Sequence, residues 1–316
     1  MATAPTISNI PTRRSEVPAR LDLKVGFDCN NRCLFCVQGM KREKYDRRTR
    51  EDLFAILEKN RPKCAGVVFT GGEPALHPDI IALVQKASEL GYISIQLQTN
   101  GRMFAYRNLC RDVIAAGATE VSPALHGHQA ALHDYLTTVP GSYEQTIAGI
   151  RNLVDLGQKI VTNSVITRSN YRHLPDLARL LVDLNVDQFQ LAFVHPVGSA
   201  GVDRNFASVV PRFALLEPFL HQALDIGIQA GVRVMTEAVP YCFMDGYEEY
   251  VGERIMPETR VVDAEGVIDD YRDYRLSEGK VKGPACAGCR FDSECEGPWR
   301  EYSESYGWDE FEPRKP

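Results

Sequence analysis

Three cysteines within eight residues are the part of this sequence whose residue types and spacing point most directly to chemistry. Cys29, Cys33 and Cys36 follow a short apolar run with the spacing C-x3-C-x2-C. Three thiolates can hold one soft metal centre and leave a coordination position free, whereas structural sites normally close with four protein ligands. The spacing therefore predicts an open metal site. A zinc knuckle completed by a distant ligand is the alternative.

A second group of cysteines lies near the C-terminus. Cys286, Cys289 and Cys295 have the spacing C-x2-C-x5-C, and Cys242 stands alone upstream of them. Together they supply four thiolates, the number expected for a closed [4Fe-4S] site with no position reserved for substrate. Zinc bound by the same four thiolates is the alternative, because zinc also prefers soft ligands in fours.

The elements that must position these cysteines alternate between strands and helices. From Leu21 to about Glu237, short β-branched runs are followed by amphipathic helical stretches, as in parallel sheets with crossover helices. The predicted strands cover residues 21–27, 66–70, 92–99, 120–125, 159–166 and 188–194. This pattern predicts an α/β fold, a partial (β/α)6 TIM-like barrel.

Three regions follow from this pattern. Residues 1–17 are predicted to be an N-terminal extension, residues 18–237 the partial barrel, and residues 238–316 a small C-terminal domain rich in Tyr, Glu, Gly and Cys. Within the last region, residues 261–268 have the pattern of a hairpin. The predicted C-terminal domain therefore contains the second group of cysteines.

Unusual residues follow the predicted strands at their carboxyl ends, where barrel enzymes keep their active sites. The first three cysteines follow strand one, and Gly71-Gly72-Glu73-Pro74 follows strand two. The later strands end at Asn100, His126, Arg168 and His195. These residues are therefore expected to meet at one mouth of the barrel.

The first cysteine motif, with an aromatic residue before its third cysteine, resembles the signature of the radical S-adenosylmethionine (SAM) enzymes. The resemblance implies that Cys29, Cys33 and Cys36 hold a [4Fe-4S] cluster whose fourth iron binds SAM. The C-terminal spacing is similar to the SPASM and twitch extensions of that family. Trp299 stands where a full SPASM domain has a further cysteine, which favours the shorter twitch form. The implied cofactors are two [4Fe-4S] clusters and SAM.

The same resemblance implies a set of SAM contacts. The glycine-rich turn would bind the methionine amino group of SAM, and two residues of strand five would hold its ribose and carboxylate. On strand four, relatives often carry a serine where this chain has Ala124, so Ser122 is the candidate there. The implied SAM-binding residues are Gly71, Gly72, Glu73, Pro74, Asn100, Ser122, Asn163 and Arg168. His126 and His195 are candidates for catalysis, and a structural role is open for both.

The resemblance implies that SAM is cleaved reductively to a 5′-deoxyadenosyl radical, which abstracts a hydrogen atom from a substrate. Peptide-modifying relatives usually carry an N-terminal leader-binding domain, and only about twenty residues precede strand one here. We therefore expect oxidation of a small biosynthetic substrate, a sugar, cyclitol or nucleoside derivative, with flavodoxin or ferredoxin as electron donor. A redox-neutral decarboxylation or epimerisation and a peptide maturase are alternatives. A non-catalytic iron-sulfur electron carrier is the alternative from another class.

The overall composition sets limits on partners and location. The chain has 316 residues, of which 44% are hydrophobic and 25% charged, and its formal net charge is -6. The lack of a basic excess argues against broad binding to nucleic acids or anionic membranes. No stretch reads as a signal peptide or a membrane span. We expect a cytoplasmic protein whose nine cysteines are reduced.

Overall fold

A computed structural model describes residues 19–201 and 203–315 and places nine strands of these residues in one sheet. The strands are β1 (Arg20–Lys24), β2 (Gly66–Thr70), β3 (Ser94–Thr99), β4 (Glu120–Pro123), β5 (Lys159–Ile166), β6 (Gln188–Phe193), β7 (Arg233–Glu237), β8 (Thr259–Asp263) and β9 (Gly266–Ile268). Their order in the sheet is β7-β6-β5-β4-β3-β2-β1-β8-β9.

All neighbouring strands from β7 to β8 pair in parallel, and only β8 and β9 are antiparallel. The predicted α/β partial barrel is therefore confirmed. The prediction of six parallel strands was two short of the eight observed: Thr259–Asp263, predicted as part of a hairpin, forms β8 beside β1, and Arg233–Glu237 forms β7 beside β6. This strand mixes polar and apolar residues and lacks the continuous apolar run that marks a buried parallel strand.

Helices connect successive strands along the chain. They are α1 (Arg50–Asn60), α2 (Ile80–Glu89), α3 (Arg107–Ala115), α4 (Ala130–Thr137), α5 (Ser142–Asp155), α6 (Leu174–Asp183), α7 (Asp203–Val209), α8 (Phe213–Gln229), α9 (Tyr271–Tyr274) and α10 (Arg300–Tyr306). Thr49 caps α1 by accepting a hydrogen bond from the amide of Asp52. Gly91 follows α2 with a positive φ of 78°, a common way for a helix to end.

The two faces of the sheet differ in polarity. On β1, Leu21 and Leu23 are fully buried in the hydrophobic core, while Arg20, Asp22 and Lys24 on the opposite face stay partly exposed. Burial also alternates along β5, where every second residue is buried, although two of the buried residues are polar. Core packing therefore holds the helices on one face, and the opposite face keeps polar groups available.

The C-terminal part of the chain joins the same sheet. β8 pairs in parallel with β1, with Leu23 opposite Val262, and β9 returns from it as the predicted hairpin. The boundary after residue 237 stays a prediction, and the extension at residues 1–17 lies outside the described residues. Among the helices that the structure describes, none has both the length and the apolar character needed to span a membrane.

Candidate active site

The glycine turn after β2 packs directly on the backbone that leads to Cys29. The amide of Gly72 donates to the carbonyl of Gly26 at 2.9 Å, and the amide of Glu73 donates to that of Asp28 at 2.7 Å. A Cβ on Gly71, whose φ is +133°, would lie 2.1 Å from the Gly26 oxygen, and one on Gly72 would lie 2.3 Å from the Asp28 oxygen. Only glycine permits this approach of two loops.

The Glu73 side chain links the turn after β2 to the end of β3. Its buried carboxylate accepts hydrogen bonds from the amide of Ala75 at 3.0 Å, the hydroxyl of Thr99 at 2.5 Å and the amide of Asn100 at 2.6 Å. Burial raises the pKa of this carboxyl despite these bonds. Glu73 therefore positions two loops, and Pro74 begins a short turn behind it. The predicted contact of both residues with SAM stays a prediction.

The corner after β3 holds the cysteine loop through side chains. The Asn100 amide nitrogen donates to the Asn30 side chain at 2.6 Å and lies 3.8 Å from the Cys29 sulfur. Arg102 donates to the Asn31 side chain at 2.8 Å and also to the Asn30 carbonyl. The sequence reasoning missed Arg102, which directly follows the Asn-Gly corner, because its partners lie 71 and 72 residues away along the chain.

Two further elements contact the cysteine loop. The amide of Ser199, in the loop after β6, donates to the carbonyl of Cys36 at 3.0 Å, and a Cβ on Gly198 would come within 2.6 Å of the same oxygen. At the other end, the amide of Arg32 donates to the carbonyl of Thr137 at the end of α4 at 2.9 Å. Loops after β2, β3 and β6 therefore contact the loop after β1 that carries the three cysteines.

The spacing of the thiols distinguishes two kinds of metal site. Among the described residues, one group of His, Cys, Asp or Glu side chains has three ligand atoms all within 4.8 Å of one another, and it contains no cysteine. Sulfurs bound to one zinc ion at about 2.3 Å would lie only about 3.8 Å apart. In neither cysteine group do three sulfurs all lie within 4.8 Å of one another, so these thiols are not drawn together as they would be around a single zinc ion.

The four C-terminal cysteines, Cys242, Cys286, Cys289 and Cys295, line one pocket, and their role as ligands of a second cluster stays a prediction. Burial and the other thiols raise the pKa of Cys242, so a bound cation would be needed to hold these thiolates. The amide of Gly297 donates to the Cys295 sulfur at 3.4 Å, a contact that suits a cluster ligand.

The predicted SAM contacts on β4 and β5 differ in their surroundings. The Ser122 hydroxyl donates to the Val161 carbonyl within the sheet. The Asn163 side-chain oxygen is buried without a hydrogen-bond partner, a costly state that a ligand hydroxyl would relieve. Arg168 is exposed and donates to the Ala207 carbonyl at 2.6 Å, which leaves further guanidinium donors. Asn163 thus has the best geometry of the three for holding a ligand.

The two histidines proposed for catalysis are both packed against other side chains, His126 buried and His195 partly buried. His126 accepts a hydrogen bond from the amide of Val165 at 3.2 Å, and burial, with His133 beside it, lowers its pKa to about 3. His195 stacks on Trp299 with ring centroids 3.7 Å apart, and burial, followed by the nearby Lys280, lowers its pKa to about 4. Both rings are therefore neutral at pH 7, and the contacts of His126 are those of a packing residue.

A buried group of charges joins the barrel to the C-terminal region. Glu296 accepts two hydrogen bonds from Arg275, both at 2.8 Å, and Lys280 lies 3.0 Å from Glu253. Burial disfavours the charge of Glu296, but its bonds to Arg275 outweigh this and hold its pKa below the usual value. We call Glu237, Glu253, Arg275, Lys280 and Glu296 the junction cluster. Sequence reasoning missed it, because its members are far apart along the chain.

Residues 23–187, more than half of the chain, match the sequence profile of the Radical SAM superfamily. The chain belongs to this superfamily. Membership makes it an enzyme and implies a [4Fe-4S] cluster and SAM as cofactors, and the three-cysteine loop with the turns around it fits both.

Curated relatives match slightly more than half of this radical SAM chain. It is 28% identical over 179 residues to an AdoMet-dependent heme synthase of Oleidesulfovibrio alaskensis, covering 56% of this chain and 46% of the relative. It is 29% identical over 173 residues to a probable GTP 3′,8-cyclase of Saccharolobus solfataricus, covering 54% and 55%. The chain thus spans about half the length of the curated relatives that it matches.

Solved structures share the fold over nearly the whole chain. SuiB of Streptococcus suis bound to S-adenosylmethionine has a TM-score of 0.66 at 17% identity, covering 95% of this chain and 76% of SuiB. The protein anSMEcpe with bound AdoMet has a TM-score of 0.67 at 16% identity, covering 94% and 93%. The likeness includes the C-terminal region, whose cysteines fit an auxiliary cluster site.

Proposed function

We propose that this radical SAM enzyme oxidises a small polar substrate, with a second [4Fe-4S] cluster bound in a twitch-type region by Cys242, Cys286, Cys289 and Cys295. One observation carries the proposal: these four cysteines line one pocket, and four thiolates are the closed ligand count of a complete [4Fe-4S] site. A closed second cluster near the barrel has no part in forming the radical. It suits a reaction in which an electron must leave the substrate.

The chain's own residues would bind and orient SAM at the mouth of the barrel. Gly71 and Gly72 bring backbone groups close to the cysteine loop, where they can meet the SAM ammonium group. Asn163 offers a buried acceptor for a ribose hydroxyl, and Arg168 offers donors for a carboxylate. When bound, SAM and the cluster supply the 5′-deoxyadenosyl radical that removes a hydrogen atom from the substrate.

The polar face of the sheet favours a small hydroxylated substrate. Lys24 and Asp22 form an ion pair of 3.0 Å on this face, and Gln190 donates to Glu237 at the far side of the sheet. These groups include positive and negative charges and both hydrogen-bond donors and acceptors, so they can bind the hydroxyls of a sugar, cyclitol or nucleoside. The similarity to a GTP 3′,8-cyclase adds nucleotides to the substrates worth testing.

The junction cluster would separate the substrate from the second cysteine site. Lys280 lies between Glu253 and Glu296 and is almost fully buried, with 2% of its side chain exposed. Its positive charge lowers the pKa of the Cys295 thiol, although burial raises that pKa overall. A buried cation near the cluster ligands would favour the cluster that has accepted an electron.

The test uses anaerobically reconstituted enzyme with SAM and a strong reductant, or flavodoxin or ferredoxin as the donor. Sugars, cyclitols, nucleosides and short peptides are supplied with deuterium at candidate carbons. We expect deuterium in 5′-deoxyadenosine with a small hydroxylated substrate and a product lighter by two hydrogens. Transfer from peptides alone would contradict the substrate class, and a product of unchanged oxidation state or one that has lost carbon dioxide would contradict oxidation.

Iron content tests the second site separately. Replacing Cys286, Cys289 and Cys295 by alanine should lower the iron content from about eight to about four atoms per chain while leaving SAM cleavage measurable. Cys64→Ala is the matched control, because this buried thiol lies outside both cysteine groups and should leave iron unchanged. Stoichiometric zinc at the wild-type site would refute the second cluster.

A further inference from the structure

A group of three metal-ligand side chains lies apart from both cysteine sites. His128 is in the loop after β4, His173 ends a short turn after β5, and Asp176 is in the first turn of α6. One ligand atom from each lies within 4.8 Å of the other two. His173 Nδ1 is 3.6 Å from an Asp176 oxygen, and the two imidazole rings have centroids 5.1 Å apart.

The polar atoms of this group are available to a ligand. The Nδ1 atom of His128 is shielded from solvent and has no hydrogen-bond partner, a state that costs free energy unless something binds it. Asp176 uses its other oxygen to accept from Arg179 at 2.7 Å, which holds the carboxylate in place and leaves the first oxygen facing His173. The group is therefore partly preorganised.

We propose that His128, His173 and Asp176 bind a divalent transition-metal ion, with zinc the best match. Nitrogen and oxygen ligands at about 2.0–2.1 Å from a tetrahedral zinc ion lie about 3.4 Å apart, close to the 3.6 Å between His173 and Asp176. Two imidazoles select zinc, nickel or copper over magnesium and calcium, which prefer oxygen. Water fills the remaining position.

A metal here ties the loop after β4 to α6. The backbone of this loop is held on other sides by Tyr143, whose hydroxyl donates to the His128 carbonyl at 2.9 Å, and by Asn170, which donates to the His126 carbonyl at 2.9 Å. The metal adds a third attachment at the barrel end where the three-cysteine loop lies. It stabilises this rim and has no part in the reaction.

The experiment is a calorimetric titration of the anaerobically reconstituted enzyme with zinc chloride. We expect one saturable equivalent in the wild type, and dissociation constants raised at least about tenfold in His173→Gln and in Asp176→Asn, since each removes one ligand. Asp183→Asn on the same helix is the matched control, because its exposed carboxylate lies outside the group. Its affinity should equal that of the wild type.

Zinc-edge X-ray absorption identifies the ligands. Two imidazoles with oxygen and no sulfur support the proposed site, whereas sulfur around the zinc would place it at cysteines and overturn the proposal. Wild-type affinity in both His173→Gln and Asp176→Asn would overturn it as well, as would the absence of a saturable equivalent. Both substitutions are at partly exposed positions, and iron content and circular dichroism check that the variants fold.

Discussion

Replacing Gly72 by alanine tests the close contact between the glycine turn and the cysteine loop. The added Cβ would lie 2.3 Å from the carbonyl oxygen of Asp28 and 2.4 Å from that of Phe27. Both oxygens belong to the backbone, so the clash cannot be relieved by the rotation of a side chain. The turn and the cysteine loop must separate, which displaces the SAM-binding groups from the thiols that hold the cluster.

The magnitude follows from the distance. A Cβ rarely approaches a neighbour within 3.0 Å, so the two backbones must move apart by about 0.7 Å near Asp28. A misplacement of about 1 Å in an active site can cost about 100-fold in rate. We therefore expect Gly72→Ala to slow SAM cleavage between about tenfold and 100-fold, while the cysteines still bind iron.

The assay is the rate of 5′-deoxyadenosine formation per iron-loaded enzyme. Gly157→Ala is the control, because Gly157 has a φ of +72° but an added Cβ would meet no atom within 4 Å. It should lose about 1 kcal/mol of stability from backbone strain and keep its rate of SAM cleavage. If Gly72→Ala cleaves SAM within about threefold of wild type at full iron loading, the packing argument is wrong.

Three other outcomes follow from buried polar groups. Glu296→Ala should lower the free energy of unfolding by about 3–5 kcal/mol in urea titrations, because it leaves the buried Arg275 unpaired. Asn163→Ala should weaken SAM binding in equilibrium dialysis without loss of stability, because its oxygen has no partner in the protein. His126, with its pKa lowered to about 3, should make the protein less stable as the pH falls below about 6.5, by about 1.4 kcal/mol per pH unit in thermal or urea unfolding.

Each of these outcomes has a control. Asp155→Asn breaks the exposed ion pair with Arg107 and should cost only about 0–1 kcal/mol, so an equal cost for Glu296→Ala would contradict the buried network. An unchanged SAM affinity in Asn163→Ala would show that Asn163 does not bind SAM. Below about pH 6.5 the unfolded chain binds a proton at His126, whereas the folded protein binds it only near pH 3. His126→Gln should therefore reduce the loss of unfolding free energy at acidic pH.

The sequence predicted the parts of the site that are local in the chain. The spacing of Cys29, Cys33 and Cys36, and the turns at Gly71 and Asn100, follow strands that alternate clearly with helices. Parallel pairing brings the carboxyl ends of these strands to one edge. Their convergence was therefore predictable before any distance was known.

What the sequence could not predict depends on contacts between distant segments. Arg102 holds the cysteine loop from 71 residues away, and Arg275 pairs with Glu296 across 21 residues. Such partners are chosen by tertiary packing, and nothing in their local sequence marks them. β7 was missed for a related reason, since its end at Glu237 faces the polar interior and breaks the apolar pattern.

The C-terminal region is part of the barrel mouth as well as the support of the second cysteine group. At the turn of the β8–β9 hairpin, Asp263 pairs with Lys41 at 2.8 Å, and its carbonyl accepts from Arg48 at 2.7 Å. Lys41 and Arg48 belong to the loop that follows Cys36. Since β8 also pairs with β1, which leads into Cys29, the hairpin contacts the chain on both sides of the three cysteines. The position of the first metal site therefore depends on the region that holds the second.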